Sequence, residues 1–401
     1  MYGGFSIHAR SLRQPCLCKR VMSPKGPVVM LLGPSRAAVS GVSTHLNLLF
    51  GSSLARDFEL IHFQVGSEGR DESAAARLLR LLVSPFALAA RILADGVTIV
   101  HLNTSINRRA YWRDLAYLLV AKLCGARVVY QVHGGVLPRL FTGDNRLFAA
   151  LLRATLVLPD VVVVLTQAAF AAYREFVPKQ VIVALPNGID LAPYVELVRA
   201  PAAPSAPLRM IYVGRLVRAK GLFEALQGLA QVRAQGVAAS LVIAGSGPDQ
   251  TPLQECVEHS GLADAVRFVG PVFNADKLAL YSNADVLVFP SYSEGLPYTL
   301  LESMAAGVPA IITPVGGVPD VMADGVHGLF VPPRDAAAVG RAIIQLAGNR
   351  ALLADMSTAC RRRIAGGYSI ERLAEEFARL YSEACTLRRT GLIGKSKSGA
   401  S

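Results

Sequence analysis

Val161-Val-Val-Val-Leu165 is a run of β-branched and aliphatic residues with no polar alternation. A strand of this kind has no face for water, so it belongs in a parallel sheet covered on both sides. Working outward from it, further β-branched runs lie at 28–32, 59–63, 97–102, 127–133 and 181–185. Helical patterns such as 108–124 and 146–156 separate them. This βαβ series predicts a doubly wound α/β domain.

The series stops at Ala200-Pro-Ala-Ala-Pro-Ser-Ala-Pro207. Prolines among Ala and Ser continue neither helix nor strand, which predicts a linker. A second series begins at Leu208, with strands expected at 208–213, 240–244, 266–269, 285–289 and 310–312. Helical patterns at 336–347, 352–364 and 370–387 come after them. A length of 401 residues suits two cores of roughly 150–200 residues each. The expected organisation is a flexible basic tail over 1–26, a Rossmann-like domain over 27–199, the linker over 200–207 and a second Rossmann-like domain over 208–368. A C-terminal helix over 369–390 is expected to cross back to the first domain, ahead of a disordered tail over 391–401.

Hydrophobic residues make up 52% and charged residues 17%, which excludes a collagen-like or largely disordered chain. Mean hydropathy is +0.39. Even so, the most apolar stretch, 147–165, carries Arg153 and Asp160, so no membrane span is predicted. The net charge of +12 is concentrated at the ends. Arg10, Arg13, Lys19, Arg20 and Lys25 precede the first strand, and Arg388, Arg389, Lys395 and Lys397 come after the last helix. A basic chain invites a nucleic-acid reading, but tail charge without an aromatic-basic motif excludes it. Between the tails, residues 26–200 hold 17 basic and 12 acidic residues, whereas 201–387 hold 15 and 17. The first half therefore suits an anionic surface; a solvated face with no partner is the alternative.

Six cysteines form no framework. Cys16 and Cys18 are too close for ordinary zinc spacing, and a reducing compartment is expected. No apolar core of a signal peptide precedes Val28, and residues 1–21 read as an over-extended start or a loose tail.

Open α/β domains bind ligands beyond the carboxyl ends of their strands, so the residues after each strand carry the chemistry. The first is Gly33-Pro-Ser-Arg-Ala-Ala-Val-Ser-Gly41, which sets Gly41 near a helix N-terminus where backbone N–H groups could meet a phosphate. A plain βα turn is the alternative. Gln131-Val-His133-Gly-Gly135 puts a histidine at a strand end, as a ligand-site residue or as a structural hydrogen bonder. In the second half, Gly214-Arg215 and Lys220-Gly221 offer a planar fork and a movable point charge to one diphosphate, or else are surface charge. Gly245-Ser-Gly247 is a turn that lets a ligand approach the backbone. Finally, Ser293-Glu294-Gly295-Leu296-Pro297 leads into a helix carrying Glu302. Pro297 suits the first helical turn. One carboxylate could take sugar hydroxyls and the other a ribose diol. No Asp-x-Asp or histidine cluster suited to a metal is present, no cofactor is expected, and no covalent nucleophile stands out.

Together with Pro186-Asn-Gly-Ile-Asp190 and Gly316-Gly317, these motifs resemble, in order and over roughly 27–387, glycosyltransferase family 4, the group 1 glycosyltransferases of GT-B architecture. The resemblance implies an α/β fold of two Rossmann-like doubly wound domains facing a central cleft. It implies transfer of a sugar, with retention and without metal, from a UDP- or GDP-linked donor to a glycan or lipid-linked glycan acceptor in cell-surface polysaccharide biosynthesis. By resemblance Arg215 and Lys220 hold the diphosphate and stabilise the leaving group. Glu294 lies by the donor sugar, Glu302 by the ribose, His133 by the transferred sugar, and Gly41, Gly245, Gly247, Gly295 and Leu296 line the donor site. Asp320 stands where the family usually has Glu, and the 33–41 loop is less glycine-rich than in many members, so sugar selectivity stays open. The alternatives are a non-catalytic nucleotide-sugar-binding protein and a GT-B epimerase or phosphorylase.

Many members of the family act on lipid-linked acceptors, which implies a cytoplasmic protein peripheral on the inner face of the membrane. Residues 74–93 pair leucines with spaced arginines, as an interfacial helix does. An ordinary Rossmann helix interrupted at Pro85 is the alternative.

Overall fold

Residues 26–67, 72–197 and 206–386 are described in a computed structural model. Six strands make the first sheet: β1 (Val28–Gly33), β2 (Glu59–Gln64), β3 (Ile99–Ile106), β4 (Arg127–Gly135), β5 (Val161–Val164) and β6 (Ile182–Ala184). All pair in parallel, in the order β2-β1-β3-β4-β5-β6. Every residue of β1 and β5 is buried, as expected for strands without polar alternation. Along β1, Val28, Met30 and Leu32 enter one core while Val29 and Leu31 enter the core on the opposite face, the period-two consequence of a pleated strand.

The second sheet holds β7 (Leu208–Val213), β8 (Ala239–Ala244), β9 (Val266–Gly270), β10 (Val286–Phe289), β11 (Ala310–Ile312) and β12 (Gly328–Phe330). It is also wholly parallel, in the order β12-β11-β10-β7-β8-β9. Chain direction across the sheet reverses between β1 and β3 in one domain and between β7 and β10 in the other. These are the switch points at which strand-end loops diverge and leave a crevice. The two doubly wound domains of the GT-B expectation are therefore present.

Three local expectations change. β3 and β4 run past their expected ends, so Asn103 and Gly134 sit on strands, with a register break between Thr104 and Ile106. β12 has no counterpart among the expected strands. It is three residues long and begins at Gly328, where a Cβ would lie 2.1 Å from the Ala310 carbonyl, so close backbone approach and not β-propensity makes the strand. The helix Ala74–Ala94 continues through Pro85. Proline removes one backbone donor, and here the neighbouring turn, including Leu81, Leu82 and Val83, is exposed, so water can serve the carbonyl left over. The linker and both expected tails lie in whole or large part outside the described residues.

The helix Ile370–Thr386 belongs by packing to the first sheet. Ile370, Leu373, Phe377 and Tyr381 recur at helical spacing and join Val29, Leu31, Ile99, Val129, Val161 and Val163 in one core. Tyr381 also hydrogen bonds through its hydroxyl to His101 Nδ1 at 2.5 Å. Phe377 is fully buried, with its ring centroid 5.1 Å from His101 and 6.0 Å from His45. Phe377→Ala is expected to cost about 3–5 kcal/mol in a denaturant titration. A loss below about 1 kcal/mol would show that the helix does not secure the first domain.

Candidate active site

The second domain builds its site from the loops that leave β7, β8, β9 and β10. β7 ends at Val213, and the turn beyond it is fixed by the Tyr212 hydroxyl donating to the Arg215 carbonyl at 2.7 Å. Gly245, after β8, has φ +144, and a Cβ there would sit 1.8 Å from the Gly214 carbonyl oxygen. Only glycine lets these two strand-end loops touch. After β10 the chain passes Glu294 and enters the helix Tyr298–Ala305, whose first turn is tied down by Thr299 Oγ1 donating to the Val213 carbonyl at 3.1 Å.

Across the cleft, the helix Gly41–Gly51 starts beside the same loops, with Ser40 capping it by accepting from the Ser43 N–H. Between the two domains lies a cavity of about 690 Å³. Gly41, Arg215, Lys220, Gly245, Gly247, Glu294 and Glu302 all line it, so the geometry collects these expected site residues in one place.

Both carboxylates are engaged. Glu294 Oε1 accepts from Lys220 Nζ at 2.5 Å, and Lys220 also lies 5.4 Å from the centre of the Phe289 ring. Glu302, 8% exposed, accepts from Lys277 Nζ at 2.6 Å and from the Tyr281 hydroxyl at 3.2 Å. Burial of a carboxylate is costly without such hydrogen-bonding partners. Arg215 lines the cavity with no carboxylate partner among the described residues.

His133, Gly295 and Leu296 do not line the cavity. A Cβ on Gly295 would lie 2.1 Å from the His133 carbonyl oxygen, so these residues form a backbone-to-backbone contact between the domains. Leu296 accepts through its carbonyl from Asn187 Nδ2 at 2.8 Å, a second link between the domains. Asp320 makes a third, accepting from the Gln167 N–H at 2.8 Å at the start of the helix Gln167–Phe176.

The His133 ring is set by its neighbours. Asn103 Nδ2 donates to the Leu32 carbonyl at 2.9 Å, which turns its Oδ1 toward His133 Nε2 at 2.7 Å. An acceptor there requires the His133 proton on Nε2. His45 packs edge-on to His133 at 4.7 Å and bonds through Nδ1 to the Tyr298 hydroxyl at 3.1 Å, a further link between domains. His101 Nε2 meets Gln131 Oε1 at 2.9 Å. Burial pushes all three imidazoles down: His45 to about 4, His101 to about 3, and His133 well below the usual histidine range, with repulsion from neighbouring histidines adding to the fall at His101 and His133.

Two cavity-lining cations lie outside the set expected from sequence. Lys277 comes after β9, a strand end whose continuation carries no glycine motif, and Arg36 lies inside the 33–41 loop, where the glycines carry the sequence signal. The strand-end rule applied to β9 is the signal that leads to Lys277.

Two parallel α/β domains with a cation-lined cavity at their switch points define the GT-B architecture. The family described as Glycosyltransferase Family 4 matches residues 50–193, and the one described as Glycosyl transferases group 1 matches residues 196–363. The chain belongs to the group 1 glycosyltransferases of family 4. It is 31% identical over 198 residues to a glycogen synthase of Mycobacterium tuberculosis, covering 49% of this chain and 47% of that protein. It is 28% identical over 164 residues to an amylovoran biosynthesis glycosyltransferase of Erwinia amylovora, covering 39% and 40%. In these alignments the chain spans about half the length, or less, of the curated relatives. Among solved structures, sucrose-phosphate synthase from Thermosynechococcus elongatus superposes with a TM-score of 0.71 at 21% identity, over 89% of this chain and 98% of that one. Anabaena HepE in complex with UDP-glucose gives 0.69 at 17% identity, over 88% and 99%. At these identities the likeness is one of fold.

The neutral histidines give a pH signature. In the unfolded chain each titrates near 6.5, so below that pH the unfolded state binds more protons than the folded one. Their stabilising contribution is complete above about pH 6.5 and is lost as pH falls toward 4, at up to about 1.4 kcal/mol per pH unit for each histidine. The melting temperature is expected to fall through this window, and less steeply in His45→Gln. An identical acid slope in the variant would assign the loss to other groups.

Proposed function

We propose that this protein transfers a sugar, with retention and without a metal, from a nucleotide-diphosphate sugar to a glycan or lipid-linked glycan acceptor in cell-surface polysaccharide synthesis. The observation that carries the reading is the convergence of Arg215, Lys220 and the start of the Tyr298–Ala305 helix on the cavity that also holds Glu294 and Glu302. In the transfer, the bond from the anomeric carbon to the diphosphate breaks and both electrons leave with the diphosphate. Preorganised cations at the place where that charge develops are the largest kind of catalytic stabilisation. Arg215 offers a fork, and Lys220 can share its charge between Glu294 and a phosphate. The acceptor oxygen bonds to the anomeric carbon on the face the diphosphate leaves. The departing diphosphate is then beside the acceptor hydroxyl and takes its proton. Glu294 orients sugar hydroxyls and Glu302 the ribose. His133, neutral and with its proton directed at Asn103, sits behind the cavity wall, where its carbonyl against Gly295 positions the Glu294 loop, and it does not act as a charged acid.

An acceptor anchored in a membrane suits the first domain's surface. Among the described residues no helix is long and apolar enough to cross a membrane. The helix Ala74–Ala94 has only Leu88 and Ile92 fully buried, while Leu79, Leu82 and Phe86 are 63%, 64% and 76% exposed. Its arginines are partly spent on acids, Arg80 on Glu72 at 2.6 Å and Arg91 on Asp95 at 2.7 Å. Apolar contact therefore contributes more to docking than the charge count suggests, with each free Lys or Arg adding about 1 kcal/mol near an anionic surface.

Lys220→Ala and Arg215→Ala are each expected to lose about 1.5–3 kcal/mol of donor affinity or transition-state stabilisation in a transfer assay, with the fold intact. Glu294→Gln should lower kcat strongly, Glu302→Gln should mainly raise the donor KM, and EDTA should leave activity unchanged. Wild-type turnover in Lys220→Ala and Arg215→Ala together would remove the donor-site reading. Hydrolysis or epimerisation of the donor with no acceptor would favour the epimerase or phosphorylase class, and binding without any turnover a non-catalytic protein.

For the membrane, co-sedimentation with anionic vesicles is expected at low salt, and it should weaken in Leu82→Glu/Phe86→Glu. Equal sedimentation of the double variant and the wild type would remove this helix from the docking surface.

A further inference from the structure

Among the described residues four cations line the cavity, and the donor reading employs only two of them. Lys220 is held by Glu294 and Lys277 by Glu302. Arg215 and Arg36 remain, without a carboxylate partner among the described residues. The balance over these six groups is two positive charges, which is the charge a nucleotide-sugar diphosphate brings with opposite sign. One of the two uncompensated cations, Arg36, comes from the other domain.

Arg36 is exposed, yet it is held in place. Its Nε donates to Asn47 Oδ1 at 2.8 Å, Asn47 Nδ2 donates back to the Arg36 carbonyl at 2.8 Å, and its guanidinium carbon lies 4.3 Å from the centre of the Phe50 ring. Both clamps stand on the Gly41–Gly51 helix, so the side chain is fixed to the element whose N-terminus meets the same cavity. Its two terminal nitrogens have no partner among the described residues. A guanidinium ordered by its third nitrogen and open at the other two is prepared for bidentate contact with a phosphate, at a smaller ordering cost than a free surface arginine.

We propose that Arg36 is a further ligand of the donor diphosphate, reaching the phosphate that carries the sugar from the first-domain wall. The inference rests on the donor-site reading given under the proposed function. The nucleoside end is furnished in that reading by the second domain, through Glu302. The first domain's cation therefore meets the distal phosphate, where charge accumulates as the sugar leaves. The diphosphate is gripped from both walls, and full neutralisation requires both domains to be seated on it.

The test is calorimetric titration of the full chain with UDP, GDP, ADP, CDP and dTDP, each beside its monophosphate, for the wild type, Arg36→Gln and Arg36→Lys. The wild type is expected to bind one diphosphate at least tenfold more tightly than its monophosphate. Arg36→Gln should weaken that diphosphate about tenfold and leave the monophosphate unchanged, and Arg36→Lys should recover part of the loss. Unchanged diphosphate binding in Arg36→Gln, or equal weakening of diphosphate and monophosphate, overturns the proposal alone. A wild type that binds none of these diphosphates overturns the donor-site reading and this proposal with it.

Discussion

The carbonyl oxygen of His133 occupies the space that any side chain on Gly295 would need. This contact sets the separation of the two domains, because two backbones in touch can come no nearer. Its neighbours in sequence turn the constraint into a site. Glu294, one residue earlier, faces the cavity and pairs with Lys220, and Leu296, one residue later, takes the hydrogen bond from Asn187. His45 bonded to Tyr298 and Asp320 bonded to the Gln167 N–H brace the junction on further sides. The cavity is thus bounded by a junction with little freedom to slide. Residues that resemble donor ligands in sequence, His133, Gly295 and Leu296, serve in this arrangement as the joint itself.

Charge in the cavity is arranged with the same economy. Each carboxylate is matched to a lysine, a residue whose compact charge and flexible stem allow it to be shared with an arriving phosphate. The arginines that line the cavity, with planar forks, are left without acids. Away from the cavity the rule reverses: Asp285, buried at the foot of the second sheet, is saturated by Arg209 at 2.8 Å and Arg350 at 3.3 Å, and its carboxyl is held below the usual range by those bonds against the opposing effect of burial. A saturated ion pair holds structure together, while an unsaturated one leaves capacity for a ligand.

Much of this architecture is legible in the chain. Parallel strands buried on both faces write themselves as unbroken β-branched runs, which is why β1, β5 and β7 can be read almost to the residue. The ends of β3 and β4 cannot, because Asn103, Thr104, Gly134 and Gly135 are polar or glycine and are placed by distant partners that no local window contains, Asn103 by the Leu32 carbonyl, Thr104 by Asp114 and Gly134 by the approach of Gly295. β12 exists because a backbone passes Gly328, and Pro85 is tolerated because its turn faces water. In the site, glycine and proline punctuation exposes the strand-end loops, and hence Arg215, Lys220, Glu294 and Glu302. Arg36 and Lys277 follow strand ends too, after Gly33-Pro34 and Gly270-Pro271, but nothing in their own spacing marks them as site residues. Their roles come from the opposing wall and from a carboxylate 25 residues further on, relations that exist only after folding.

The helix Ile370–Thr386 closes a core whose strands begin at Val28, and the bond from Tyr381 to His101 joins residues 280 positions apart. During synthesis the first sheet therefore leaves the ribosome with one face incompletely covered, and it stays so while the whole second domain is made. That face is built from Val29, Leu31, Ile99, Val129, Val161 and Val163, the kind of surface that associates with other chains when left open. Completion of the first domain is tied to release of the last helix, so the order of translation is the reverse of the order in which a self-sufficient first domain would mature. The long loop closure also makes this docking a slow event relative to folding within either sheet. A nascent chain stalled before residue 370 would carry both sheets and still present an unfinished first domain to the chaperones around it.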